Sequence, residues 1–247
     1  MKKNLILEKK YHNSVAQFYS NRRLHDYIWE IPEEIFLIDR SIFTSNKKVI
    51  DMGCGPAISI SKILGNKVLA RLSYTGVDIS NKLIEVAKTQ VPKGKFICAD
   101  MSDVKLPKNS FDILISLGAL HHCEDKDRTL RNWINIIKPG GYLLLREPIY
   151  EYLRKGTGES PIEEGIKIKD FHNIINNHGL KVVKLTYFST NAFHLFNKIM
   201  IKLGLKSWQN IRTLWYPVAY CDALLARNSE LGHFFQPQSF AVILQKQ

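Results

Sequence analysis

Two rhythms of apolar residues alternate along this chain. Short crowded runs, rich in β-branched side chains, read as buried strands: Val49–Met52, Leu72–Asp78, Phe96–Met101, Phe111–Leu117 and Tyr142–Leu145. Between them apolar residues recur every third or fourth position, the spacing of helices packed on one face. Asn81–Gln90 is such a helix, with Leu83, Ile84 and Ala87 inward and Ser80 as its N-cap. Ile137 reads as the end of another, before the turn Lys138-Pro139-Gly140-Gly141. Ile168–Gly179 reads as a third, closed by its glycine. Leu180–Phe188 alternates as a strand, and Ser239–Gln245 is the last one. Strand–helix alternation predicts a parallel sheet with helices on both faces.

Two stretches lie outside this alternation. In the N-terminal one, Tyr11, Val15, Phe18 and Tyr19 share a helical face, and Pro32-Glu33-Glu34 reads as the start of a second helix. The other separates the last two strands by about fifty residues, long for a connection. There Phe193, Phe196, Met200 and Leu203 oppose His194, Lys198 and Lys202. A second helical stretch carries Trp208, Ile211, Trp215, Val218 and Leu225, with a kink expected at Pro217. The predicted division is an N-terminal helical cap over 1–46, a core over 47–190 plus 238–247, and a helical insert over 191–237. The insert's amphipathic helices fit packing on the core or a second subunit in a homodimer, a substrate lid, or peripheral membrane contact.

Composition narrows the picture. The 247 residues suit one α/β domain with additions, and 45% hydrophobic residues supply a core. The formal net charge of +12 is spread along the chain without a long like-charged run, so no nucleic-acid partner is expected. Cysteines 54, 98, 123 and 221 have no paired spacing, which argues against a disulfide framework or zinc motif and for a reducing, cytoplasmic setting. The apolar part of the N-terminus is too short for a signal peptide, and no run is long enough to span a membrane.

The chemistry gathers at predicted strand ends. Val49-Ile50-Asp51-Met52-Gly53-Cys54-Gly55-Pro56-Ala57 is a strand, a tight glycine turn and a helix start. Glycines there let a ligand approach the backbone, and the helix N-terminus offers unpaired N–H groups. Asp78 ends the second strand about 25 residues on, near the spacing of a ribose-binding acid. Asp100 ends the third, His121-His122 follow the fourth, and Glu147 ends the fifth. Ligands of such sheets bind at the carboxyl ends of the strands. A nicotinamide dehydrogenase would want a third glycine where Ile58 stands.

These segments, in this order, resemble the class I S-adenosylmethionine-dependent methyltransferases, in their small-molecule branch. The resemblance spans roughly residues 45 to 190 plus the last strand, with Ala57 where the family often has a third small glycine. It implies a seven-stranded, mostly parallel Rossmann-like sheet with helices on both faces, elaborated by the cap and the insert. It implies S-adenosyl-L-methionine as cofactor and S-adenosyl-L-homocysteine as product. Gly53 and Gly55 would lie under the methionine part, with Asp51 orienting it. Asp78 would take the ribose, Ile79 would wall the adenine, and Asp100 would accept from its amino group beside Met101. Leu117 would give backbone contacts, and Tyr11 or Tyr19 would touch the methionine end from the closing N-terminal segment.

The acceptor reading follows. His122 is the first choice of base for a hydroxyl acceptor, with His121 beside it. Glu147 is expected at the pocket mouth, orienting a substrate or pairing with Arg146, and Pro148 is expected to end the strand ladder. Metal binding by His121-His122-Cys123-Glu124-Asp125 is not expected, because neighbours in a loop diverge. Glu151–Gly165, with its glycines and proline, reads as a mobile lid. The family's Asp/Asn-Pro-Pro-aromatic motif is absent where Ser116-Leu117-Gly118-Ala119 stands, which disfavours nucleic-acid and protein-amide substrates. O-methylation of a small molecule is favoured. C-methylation of a quinone-like or lipid-linked acceptor and a non-catalytic cofactor-binding module are the alternatives.

Overall fold

The computed structural model describes residues 3–21, 36–150, 163–205, 212–226 and 236–247. Helix α1 (Lys3–Asn21) precedes the alternating core: β1 (Lys48–Met52), α2 (Ile58–Leu64), α3 (Asn66–Leu69), β2 (Ser73–Asp78), α4 (Asn81–Gln90), β3 (Lys95–Cys98) and β4 (Phe111–Leu117). Then come α5 (Lys126–Ile136), β5 (Ile137–Pro148), α6 (Ile168–Asn177), β6 (Leu180–Thr190), α7 (Asn191–Lys202), α8 (Arg212–Leu225) and β7 (Pro237–Lys246). The seven strands form one sheet in the order β3-β2-β1-β4-β5-β7-β6. Pairs from β3 through β5 are parallel, and β7 runs antiparallel between β5 and β6. The mostly parallel sheet agrees with the alternation in the sequence.

The strands are apolar on both faces because helices cover both. Val49, Ile113, Ile115 and Leu144 enter one core with Ile60, Ala87, Phe193, Ala219 and Ala223. Their neighbours Ile50, Leu114, Leu143 and Leu145 point the other way and meet Leu130, Trp133, Phe171 and Ile175. Helices α2, α4, α7 and α8 therefore cover one face, and α5 and α6 the other. On α7, Phe193 is buried and Met200 packs against the core, whereas Phe196 and Leu203 are exposed. Helix α8 continues through Pro217.

Ser80 accepts from the Leu83 N–H as the N-cap of α4, whose buried residues are Leu83, Ile84 and Ala87. Two boundaries differ from the sequence reading. Ile137 already pairs with Phe111, so the strand begins there and Lys138–Gly141 bulges within it. Pro148 does not end the ladder: it pairs with Ser239, and Ile149 N–H donates to Gln238 O at 2.9 Å. Proline's missing donor is harmless at a position where the chain needs only an acceptor, and its carbonyl accepts from Ile166 N–H at 2.8 Å. The start at Pro32, Trp208, Ile211 and the side chain of Trp215 fall outside the described residues, as does most of Glu151–Gly165. No described helix is long and apolar enough to cross a membrane.

Candidate active site

A cavity of about 680 Å³ opens at the carboxyl ends of β1, β2 and β4, between the sheet and α1. That is ample for a nucleoside cofactor with a small acceptor. Asp51, Gly53, Gly55, Asp78, Ile79, Asp100, Met101, Leu117, His121 and His122 all line it. The parallel sheet gathers them from chain segments up to seventy residues apart, because every strand from β1 to β4 ends on the same rim.

The floor is the turn after β1. Gly53 and Cys54 donate their N–H groups to Val77 O at 2.8 and 3.0 Å, which folds the turn back on β2. Gly53 has φ of 72°, and a Cβ there would collide with the Ala119 side chain. Gly55 has φ of 52° but a Cβ there meets nothing within 4 Å. Ala57, at the start of α2, also has a left-handed φ of 55°. The missing third glycine is thus a real departure: alanine holds a conformation that glycine adopts without Cβ strain.

Asp78 is buried and accepts from Gly55 N–H at 2.9 Å and Ser80 N–H at 2.8 Å. Burial raises its pKa despite these donors. Its carboxylate thus ties the glycine turn to the start of α4. Asp51 is buried and accepts from the Tyr74 hydroxyl at 2.7 Å. Burial, with Asp51 beside it, pushes the Tyr74 phenol well above its usual range, so it stays a donor. Asp100 lies just past β3 and accepts from the N–H and hydroxyl of Ser102. Its loop is held from α5, where Trp133 Nε1 donates to Met101 O at 2.9 Å and Asn132 to Ser102 O at 3.0 Å.

The histidine end departs most from expectation. Glu147 is fully buried and is not at the pocket mouth. Its Oε1 accepts from Ala119 and Leu120 N–H at 3.2 and 2.9 Å, and its Oε2 from His121 N–H at 3.2 Å. The same Oε2 lies 2.8 Å from His121 Nδ1. The carboxylate is consumed by the loop after β4, so Glu147 positions His121 rather than meeting a substrate. Nor do the two histidines diverge: their rings stack at 4.2 Å, tilted by 36°. The turn of 3-10 helix at Leu120–His122 aligns them.

His121 Nε2 faces Glu163 at 3.4 Å. Burial presses its pKa down, but the hydrogen bonds and charges of Glu147 and Glu163 outweigh that, and the pKa is raised. Burial holds His122 well below the usual imidazole range, with the charge of His121 adding to it. The paired environments push the two histidines apart.

Helix α1 reaches the cavity with Leu5, Glu8 and His12. Tyr11 is not among the lining residues; its ring meets the His12 ring edge-on at 5.2 Å. The Tyr19 side chain lies outside the described residues. The sequence reading also missed Arg146 and Glu163, both cavity-lining. Arg146 reaches over Gly118, where φ is 72° and a Cβ would strike the guanidinium. A glycine straight after a strand-like run was the available signal. For Glu8 and His12 it was their four-residue spacing on one helix face.

Residues 50–145 match the family model described as methyltransferase domain. Over 116 residues the chain is 30% identical to a protein named ubiquinone biosynthesis O-methyltransferase of Coxiella burnetii, covering 45% of this chain and 48% of that one. The chain thus spans about half the length of the curated relatives it matches first. Among solved structures, an S-adenosylmethionine-dependent methyltransferase of Mesorhizobium loti superposes with a TM-score of 0.58 at 18% identity, over 90% of this chain and 100% of the other. One from Aquifex aeolicus gives 0.57 at 14%, over 95% and 98%. At those identities the structural likeness shows the fold, while the family model covers the chain from β1 into β5. Over residues 50–145 the chain is thus similar to the methyltransferase domain family, in the fold that these S-adenosylmethionine-dependent methyltransferases share.

Proposed function

We propose that this protein transfers the methyl group of S-adenosylmethionine to a hydroxyl of a small molecule. The observation that carries it is the single cavity wall joining Gly55, Asp78 and Asp100 to the stacked His121–His122 pair. The residues present fit the cofactor. Gly55 leaves open room where any other side chain would intrude, and Asp78 is a buried carboxylate with lone pairs beyond its two backbone bonds. Asp78 would hold the ribose hydroxyls, Asp100 the adenine amino group, and Ile79 and Met101 the ring faces. Asp51 and Gly53 would hold the methionine part, with the Leu117 backbone beside it. When bound, the cofactor supplies an electrophilic sulfonium methyl.

This chain's own part is alignment and proton removal. Holding nucleophile, methyl carbon and sulfur in line contributes several kcal/mol, roughly up to 10 in favourable cases. The acceptor oxygen loses its proton as the methyl arrives. Glu147 fixes the His121 ring through Nδ1, and Glu163 lies on Nε2 at 3.4 Å, so Nε2 would take the proton by way of the cavity-lining Glu163 carboxylate. Glu147 and Glu163 flank the imidazolium so formed. His122 stands against it on the cavity wall. Oxygen as the acceptor atom is supported by the name of the Coxiella burnetii relative. Four free cysteines support a cytoplasmic location.

The test has two stages. Calorimetry with S-adenosylhomocysteine should show one site, lost in Asp78→Ala. Release of S-adenosylhomocysteine is then screened over phenols, catechols, hydroxyquinones and sugars, and the methylated atom is found by NMR. A methylated carbon moves the assignment to C-methylation. Tight product binding with no turnover on any acceptor points to a cofactor-binding module. His121→Asn should slow single turnover about 100-fold or more with the cofactor affinity kept.

A further inference from the structure

We propose that Glu8, His12 and His122 form a binding site for a divalent cation of the zinc class, in the wall of the cavity. The three come from distant parts of the chain. Glu8 and His12 lie one turn apart on α1, and His122 ends the turn after β4. Glu8 Oε2 is 3.3 Å from His12 Nε2 and 3.6 Å from His122 Nδ1. Ligand atoms at about 2.0–2.1 Å from a tetrahedral ion stand about 3.3–3.4 Å from one another. The two edges from Glu8 are therefore close to those of a zinc coordination shell, and all three ligand atoms lie within 4.8 Å of one another.

A second observation points the same way. Glu8 is only 3% exposed, yet neither carboxylate oxygen takes a hydrogen bond, and His122 Nδ1 takes none either. A buried carboxylate in that state is destabilising, and a cation between these atoms removes the cost. The neighbouring triad of His121, His122 and Glu163 also converges. It is the poorer candidate, because Glu163 is less buried than Glu8 and is not among the buried groups left without a hydrogen bond.

Two imidazole nitrogens and one carboxylate oxygen select zinc, cobalt, nickel or ferrous iron over magnesium and calcium, which prefer oxygen alone. Three protein ligands leave a fourth position, and all three residues line the cavity, so that position opens onto it. It would take water or an acceptor oxygen, whose proton the ion makes easier to remove. The ion would also pin α1 to the loop after β4. The site stands whether or not the chain transfers methyl groups.

The experiment uses the tag-free full chain, stripped with chelator and dialysed against Zn²⁺ or Co²⁺. Elemental analysis should find one ion per chain, and bound Co²⁺ should show the intense visible bands of a four-coordinate site. Glu8→Gln, His12→Gln and His122→Gln should each weaken Co²⁺ binding at least tenfold, while His172→Gln on α6 leaves it unchanged. Circular dichroism establishes that each variant is folded. X-ray absorption on the wild-type zinc form needs no variant and should show two imidazoles with oxygen ligands. No stoichiometric binding, thiolate ligands, or loss only on changing Glu163 would each overturn the proposal.

Discussion

Glu147 holds His121 twice, through its ring Nδ1 at 2.8 Å and its backbone N–H at 3.2 Å. With Ala119 and Leu120 also donating to this carboxylate, one buried side chain on β5 sets the path of the whole loop after β4. Glu147→Gln keeps the shape but turns an amide NH₂ toward N–H donors that need an acceptor. It should cost about 3 kcal/mol by urea denaturation. Amide exchange at Ala119, Leu120 and His121 should quicken ahead of that in β4. Unchanged stability would show that the loop does not depend on this carboxylate.

The three small residues of the first turn should answer differently to one methyl group. Gly53→Ala meets Ala119 head-on as well as left-handed strain, and should cost several kcal/mol, about 3 or more. Gly55→Ala meets only the strain, about 1 kcal/mol, but fills space at the cavity wall. It should keep its fold and lose affinity for S-adenosylhomocysteine. Ala57→Gly relieves strain while losing a buried methyl and adding chain entropy, so it should stay within about 1 kcal/mol of wild type. Equal costs at 53 and 55 in thermal unfolding would mean that contact with Ala119 is not what demands glycine.

The glycine-and-acid rim of the cavity was legible because its signals are local. A strand that ends in Gly53-Cys54-Gly55, or in Asp78, carries in a few residues both its period and its chemistry. Ser80 could be read as a cap for the same reason. The histidine end was not legible, since its order comes from partners far along the chain. Glu147 was read as standing at the pocket mouth because nothing near it in sequence announces that three N–H groups from residues 119–121 wait for its oxygens. Likewise Glu8 and His12 look like a solvated helix face until α1 is laid against the turn at His122. The β5 start was misread because a Pro-Gly-Gly run reads as a loop, whereas here it is a bulge inside a strand.

Thiol reactivity gives an independent check on burial. Cys98 and Cys221 are exposed, while Cys54 and Cys123 are buried. Burial pushes Cys123 up to about 12, and burial beside Asp78 and Asp51 raises Cys54 well above the usual range. Native protein at pH 8 should therefore react quickly with a disulfide reagent at two thiols and slowly at the other two. In denaturant all four should react together. Fast labelling of Cys54, mapped by mass spectrometry, would mean that the floor of the cavity opens to solvent.

Asp78 joins stability to binding through its burial. Its pKa in the folded protein is raised, so the protonated form is the one the fold favours. The sign follows: its contribution to stability is fully present below the unfolded carboxyl value and is lost as pH rises through the folded one. At neutral pH the ionised, desolvated carboxylate therefore weighs against the free protein. Asp78→Asn should raise the urea midpoint at pH 7, and its advantage should shrink as pH falls through the acidic range. With Asp78 as the proposed ribose acceptor, the same change should weaken S-adenosylhomocysteine about 100-fold. A variant less stable than wild type at pH 7, with a gap that persists in acid, would show that the bonds to Gly55 and Ser80 outweigh the cost of burying the charge.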